Sequence, residues 1–188
     1  MENTIHPPLT SVPSARPQRA QELIIRPAQR AEMPLAADIV RSSAAWYARI
    51  LDNPEDMAEH QVDEAWADKN YALRDFYLGF EDGEAVGTLS LQYPEPSYCY
   101  IGYVYLYTRH VGKGYGRRFL RFAASRARAR DCTSLVLIAH PKATWAVRAY
   151  EKFGFERVAE RREAVLAWND GWLKPYYEEG FHLFRKGL

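Results

Sequence analysis

The stretch HVGKGYGRRFL, His110 to Leu120, sets glycines at positions 112, 114 and 116 and follows them with Arg117 and Arg118. It lies between an aromatic run, Cys99-Tyr-Ile-Gly-Tyr-Val-Tyr-Leu-Tyr107, and a segment from Arg121 to Arg130 whose alanines and arginines favour a helix. Strand, glycine loop and helix in that order make an arrangement suited to phosphate. The first amides of a helix lack internal partners and sit at the positive end of its dipole. Glycine reaches positive φ and carries no Cβ that would hold an anion away. Gly112, Gly114 and Gly116 could therefore turn consecutive amides, from Val111 through Tyr115 to Arg117, towards a pyrophosphate, with Lys113, Arg117 and Arg118 close enough in sequence to add charge. The spacing excludes two common phosphate loops. A Walker loop needs its lysine followed by Ser or Thr, and the dinucleotide fingerprint needs its third glycine one residue later. The competing reading is a strand-to-helix turn, rich in glycine for packing alone.

Outward from the loop, hydrophobic periodicity changes several times. Glu22 to Ala28 predicts a short strand, and Ala31 to Leu51 predicts a helix with Leu35, Ile39, Trp46 and Ile50 on one face. Asn53-Pro54 reads as the cap and first position of a second helix to about Asp68, acidic at Glu55, Asp56, Glu59, Asp63 and Glu64. Arg74–Phe80 and Ala85–Tyr93 flank Asp82-Gly83, a strong hairpin signal, and Tyr98–Tyr107 supplies a third strand. Beyond the loop come a helix to about Arg130 and an apolar strand over Leu135–Ala139. A helix from about Lys142 follows, stopped by Gly154, and then strands near Phe155–Trp168 and Tyr176–Phe184. The order predicts an α/β domain: a single mixed, mostly antiparallel central sheet flanked by helices. It would occupy residues 22–188, behind a mobile tail over residues 1–21 that carries four prolines.

Bulk properties narrow the function classes. With a net charge of +1 there is no global electrostatic case for nucleic acid or for a membrane surface, although arginine is dense from Arg117 to Arg130. No apolar run approaches the ~18 residues that cross a bilayer, and the first residues lack the apolar core of a signal peptide. Cys99 and Cys132 have no partners at metal-ligand spacing, so neither a disulfide scaffold nor a metal site is expected. The expected location is cytoplasmic.

A second motif raises the specificity of the first. Val111-Gly-Lys-Gly114-Tyr-Gly116 resembles the coenzyme loop of the GNAT superfamily of N-acetyltransferases, in which Gln or Arg is followed by two residues, Gly, one residue, and Gly or Ala. Ala143-Thr-Trp-Ala146, running on through Tyr150 to Gly154-Phe155, resembles that family's later helix, which usually opens with Asn. Two departures stand out. Val111 replaces the usual Arg or Gln, with Arg109 fitting a register two residues earlier, and Ala143 replaces the Asn, with Thr144 beside it as a substitute hydroxyl. The stretch from Gly114 to Leu120 matches the helix entry and favours the Val111 register.

The resemblance implies the acyl-CoA N-acyltransferase fold and acetyl-CoA as cosubstrate, with no metal. The glycine loop would cradle the coenzyme pyrophosphate. The main chain around Val104 and Leu106 would hold the pantetheine arm and polarise the thioester. Tyr150 would protonate the leaving sulfur, against the plainer reading of a core tyrosine. The family's occasional basic Glu falls on Tyr100 here, which leaves His140 or a water chain as candidate bases. Tyr103, Tyr105 and Tyr107 share one strand face, either as packing or as an aromatic acceptor pocket with Tyr98 and Tyr100. The segment Ala167–Tyr177, with two tryptophans, either covers the acceptor side or completes the core. The implied partner is a small-molecule amine, acted on by a monomer or homodimer. The rival class is an acyl-CoA sensor without turnover.

Overall fold

The computed structural model describes residues 22–51, 62–95 and 97–188. The proline-rich tail and the proposed Asn53-Pro54 helix start, with Glu55, Asp56 and Glu59, lie outside them. Seven strands form one sheet. They are β1 (Ile24–Pro27), β2 (Asp75–Glu81), β3 (Glu84–Glu95), β4 (Tyr98–Leu106), β5 (Ser134–Ala139), β6 (Glu156–Ala159) and β7 (His182–Gly187). Their spatial order is β1-β2-β3-β4-β5-β7-β6. Every pairing is antiparallel except β4 with β5. The helices are α1 (Met33–Leu51), α2 (Glu64–Leu73), α3 (Tyr115–Arg128), α4 (Thr144–Phe153) and α5 (Arg162–Ala167).

Local chemistry explains most boundaries. Asp82 and Gly83 both adopt positive φ, +50° and +82°, as a two-residue hairpin turn requires, and Glu81 pairs directly with Glu84. Gly154 ends α4 in the left-handed conformation. Asp63 caps α2, its carboxylate accepting from the Trp66 amide at 2.9 Å. α2 runs on past Asp68 to Leu73.

Two expected strands differ from the fold. The segment Phe155–Trp168 holds only the short β6 and then turns into α5, because Glu163-Ala-Val-Leu-Ala167 is a run of helix-favouring residues. The last strand begins at His182 rather than Tyr176. Gly180, at φ +81°, breaks the chain first, and residues 172–181 form turns.

Each face of the sheet has its own core. On one face Val104 and Leu106 pack with Phe119, Leu120 and Ala123 of α3, and with Val147 and Tyr150 of α4. On the other, Tyr103 and Tyr105 pack beneath α1 and α2 with Ala37, Val40 and Trp66. The alternation read from the sequence is thus realised. Tyr98 and Tyr100 turn towards α5 and the following segment, with Trp168, Trp172 and Tyr176.

Candidate active site

The parallel ladder between β4 and β5 consists of Tyr98↔Ser134, Cys99↔Leu135 and Tyr100↔Val136, and there it stops. Beyond Tyr100 the two strands diverge, and a cleft of about 500 Å³ opens between them. On its other side β4 stays paired with β3, through Leu89↔Val104, Thr88↔Tyr105 and Gly87↔Leu106. The Tyr107 amide donates to the Val86 carbonyl at 3.0 Å. Peptide groups alternate along a strand, so those of Val104 and Leu106 face away from β3, into the divergence. The Leu106 carbonyl there accepts from Ser43 Oγ of α1 at 2.8 Å. Its N–H belongs to a row of backbone donors that β5 does not reach.

The glycine loop follows β4. Gly112 and Gly114 both have φ of +85°, and a Cβ built on either, or on Gly116, meets nothing within 4 Å. Gly114 is the N-cap of α3 and no side chain caps the helix. The amides of Tyr115, Gly116 and Arg117 open the helix towards that space. Val111, Gly112, Lys113, Gly114 and Arg117 are exposed. The Tyr115 side chain is buried, so only its main chain can serve a ligand. Gly116 is helical, and its contribution is the missing Cβ. Arg109 turns away to pair with Glu84 and lies 4.5 Å from the Tyr107 ring centre. Arg126 and Arg130 stand at the far end of α3, about 20 Å from the loop by helix rise. Arg130 there meets Asp75 at 3.0 Å and lies over Tyr93 at 4.0 Å. Neither can serve a phosphate at the loop.

At the mouth of the cleft α4 brings Ala143, buried at its N-cap, and Thr144, exposed beside it. Trp46 and Tyr47 of α1 meet Trp145 of α4, with ring centres 4.3 and 5.1 Å apart. Burial pushes the Tyr47 phenol up to about 12. Tyr150 lines the cleft, its ring 5.9 Å from Phe155 and 6.3 Å from Phe184. Burial holds its phenol well above the ordinary value, so it keeps its proton. Tyr100 is raised in the same way and is no base.

His140 also lines the cleft, but its Nδ1 accepts the Lys142 amide at 3.1 Å. Neutral, that ring carries its proton on Nε2 and has no free lone pair. Burial, then Lys142, lowers its pKa.

The opposite wall comes from α2 and from the segment after α5. Lys69, Asn70 and Arg74 stand on one side, and Tyr176, Glu178 and Phe181 on the other. Both readings of the Ala167–Tyr177 segment hold, for different residues. Trp168 and Trp172 complete the core against Tyr98 and Tyr100, while Pro175, Tyr176 and Tyr177 line the cleft. The acidic second helix could attract a cationic amine only by bordering the cleft with its carboxylates, and its described part, α2, gives the cleft Lys69 and no carboxylate. Sequence reasoning passed over Ser43, Tyr47, Trp145 and Arg74. For the first three the available signal was their position on inward faces of α1 and α4; Arg74, just past α2, offered none. Among the described residues no group of three or more His, Cys, Asp or Glu could hold a metal, and no helix is long and apolar enough to cross a membrane.

The sequence pattern described as the Acetyltransferase (GNAT) family matches residues 41–155, more than half of the chain. Solved structures share the fold at low identity. The PaiA N-acetyltransferase of Thermoplasma acidophilum, in complex with coenzyme A, aligns with a TM-score of 0.67 at 15% identity, over 89% of this chain and 99% of that one. A GNAT family acetyltransferase of Staphylococcus aureus Mu50 gives 0.67 at 13% identity, over 89% and 99%. A GNAT family acetyltransferase of Elizabethkingia anophelis with acetyl-CoA bound gives 0.61 at 18% identity, over 88% and 98%. No curated protein sequence matches the chain significantly.

Proposed function

The chain belongs to the acetyltransferase (GNAT) family, and on that footing we propose that it transfers an acetyl group from acetyl-CoA to a primary amine of a small molecule. The observation that carries this reading is the divergence of β4 and β5 with the uncapped glycine loop at the end of β4. An extended, hydrogen-bonding arm ending in a pyrophosphate fits that geometry along its length. The amides from Gly112 to Arg117 take the pyrophosphate, and Lys113 and Arg117 add charge. The outward peptide groups of Val104 and Leu106 take the arm. The hydroxyl of Thr144 adds a contact at the start of α4.

The chemistry then needs three things. The thioester carbonyl must be polarised, for which the Leu106 N–H is aimed into the divergence while Ser43 occupies the neighbouring carbonyl. The amine nitrogen must attack with its lone pair free. With Tyr100 protonated and the His140 Nδ1 engaged, neither of these two is a free base, so the acceptor sheds its proton to solvent before entering the cleft. The tetrahedral centre then collapses: its nitrogen gives up the extra proton to solvent water, the carbon–sulfur bond breaks, and the departing thiolate takes a proton from Tyr150, which solvent restores.

The test is a thermal-shift titration with acetyl-CoA followed by free-thiol release over a panel of amines. A ligand bound only by the folded state at ~100 times its Kd stabilises it by roughly 2.7 kcal/mol. Stabilisation with amine-dependent release supports the reading. Stabilisation without release from any amine supports a sensor instead.

A further inference from the structure

We propose that the acceptor carries a carboxylate beside its amine, and that Arg74 reads it. The proposal rests on the acetyltransferase reading above and names the substrate class of the same cleft.

Arg74 follows α2 directly and is 9% exposed, yet it forms no ion pair among the described residues. Its Nε donates to Asn70 Oδ1 at 3.0 Å. Asn70 is itself fixed, its Nδ2 donating to the Trp66 carbonyl at 2.9 Å. The guanidinium carbon lies between two aromatic faces, 5.0 Å from the centre of Tyr103 and 4.8 Å from that of Tyr176. Nη1 is buried with no hydrogen-bond partner. Gly102 gives it room, since a Cβ there would collide with Nη1. Asn70, Gly102, Tyr103, Arg74 and Tyr176 all line the cleft.

A guanidinium cannot shed its charge, and buried charges in proteins are ordinarily paired. The paired arginines of this chain are far more exposed. Arg26 meets Glu32, Arg130 meets Asp75 and Arg162 meets Glu179, each arginine side chain at least 41% exposed. In these three pairs the arginine is at the surface, whereas Arg74 is buried and no ion pair neutralises it among the described residues. Two neutral rings and one amide hold the Arg74 fork in place without neutralising it. A ligand carboxylate supplies the counter-charge in the planar geometry that a guanidinium matches. Lys69, on the same helix, adds a second cation to that side of the cleft, and Glu178 stands on the facing segment. Tyr47, Trp66 and Tyr105 give the remainder of the acceptor aromatic walls.

The proposal is tested by acetyl-CoA-dependent thiol release from a panel of α-, β- and ω-amino acids. Each is paired with its primary amide and its decarboxylated amine, and all are assayed with wild type, Arg74→Met, Arg74→Lys and Gly102→Ala. Wild type is expected to prefer the acids by roughly 10- to 100-fold in kcat/KM, the worth of one charge-assisted pair. Arg74→Met abolishes that preference through KM, costing the acids far more than the amides, and leaves acetyl-CoA binding unchanged. Arg74→Lys keeps part of the preference. Gly102→Ala reduces it with the arginine still present, because the fork is displaced. Equal use of acids and amides by wild type overturns the proposal while leaving the acetyltransferase reading intact. So does a parallel loss on both substrates in Arg74→Met, which is the mark of a structural role. Absence of release from every amine together with absence of any acetyl-CoA shift overturns both.

Discussion

The two ends of the cleft are built by opposite means. The donor end is backbone: two glycines at positive φ, a helix start without a side-chain cap, and a strand edge whose peptide groups face an opening. The acceptor end is side chain: Arg74 between two tyrosines, Asn70 fixing it, and tryptophans and tyrosines from α1, α2, α4 and the segment before β7. Backbone recognition tolerates the replacement of a side chain, so Val111 and Ala143 can depart from the family pattern with the geometry intact. Side-chain recognition is specific to this chain, and the proposed acceptor reading rests on it.

The contrast can be broken most forcefully at Gly114. Gly114→Val forces a β-branched residue to φ +85° and moves several amides at once, so acetyl-CoA affinity measured by calorimetry should fall at least about 100-fold. If affinity survives, the backbone account of the donor end is wrong. Tyr150→Phe removes a proton donor without disturbing the fold of α4. It should lower kcat by roughly 100-fold in stopped assays and leave the Kd for acetyl-CoA unchanged. Ser43→Ala frees the Leu106 carbonyl from its 2.8 Å donor and should weaken acetyl-CoA binding by a few-fold, on the order of 1 kcal/mol. His140→Ala should leave the pH profile of kcat/KM in place, because that profile follows the ammonium of the acceptor. Loss of an inflection near the imidazole range would identify a base after all.

The smallest effect lies far from both ends. Arg26 holds the Glu32 carboxylate with two bonds of 2.8 and 2.6 Å, and the carboxyl sits at about 2 instead of its ordinary 4.5. A carboxyl depressed in the folded state stabilises above its unfolded pKa, and the gain disappears as pH falls through the folded one. The melting-temperature difference between wild type and Glu32→Gln should therefore be constant above about pH 4.5 and fade towards pH 2.

Most of the frame was legible because local chemistry decides it. Asp82-Gly83 could only be a tight turn, and Gly154 stops α4 through its own conformation. The glycine loop and Tyr150 were legible as positions, since their spacing along the chain survives into space. One misread segment was Phe155–Trp168, where aromatic and branched residues at either end suggested a strand and the helix formers between them prevailed. Arg74 was not legible at all. Its burial depends on Tyr103 and Tyr176, from a distant strand and a distant turn, and on an absence of side chain at Gly102. No window of sequence around Arg74 contains that information.

The three-rung seam between β4 and β5 has one further consequence. A sheet normally carries its unpaired backbone at the perimeter, where another chain can dock and propagate. Here a second edge lies in the middle of the sheet, beneath α1 and the Pro175–Phe181 turns, with β5 too far away to pair with it. It is flanked by β5 on the far side and is not a free perimeter of the kind that invites strand addition. What suits an edge placed there is an extended arm with amides along its length, as in the function proposed above.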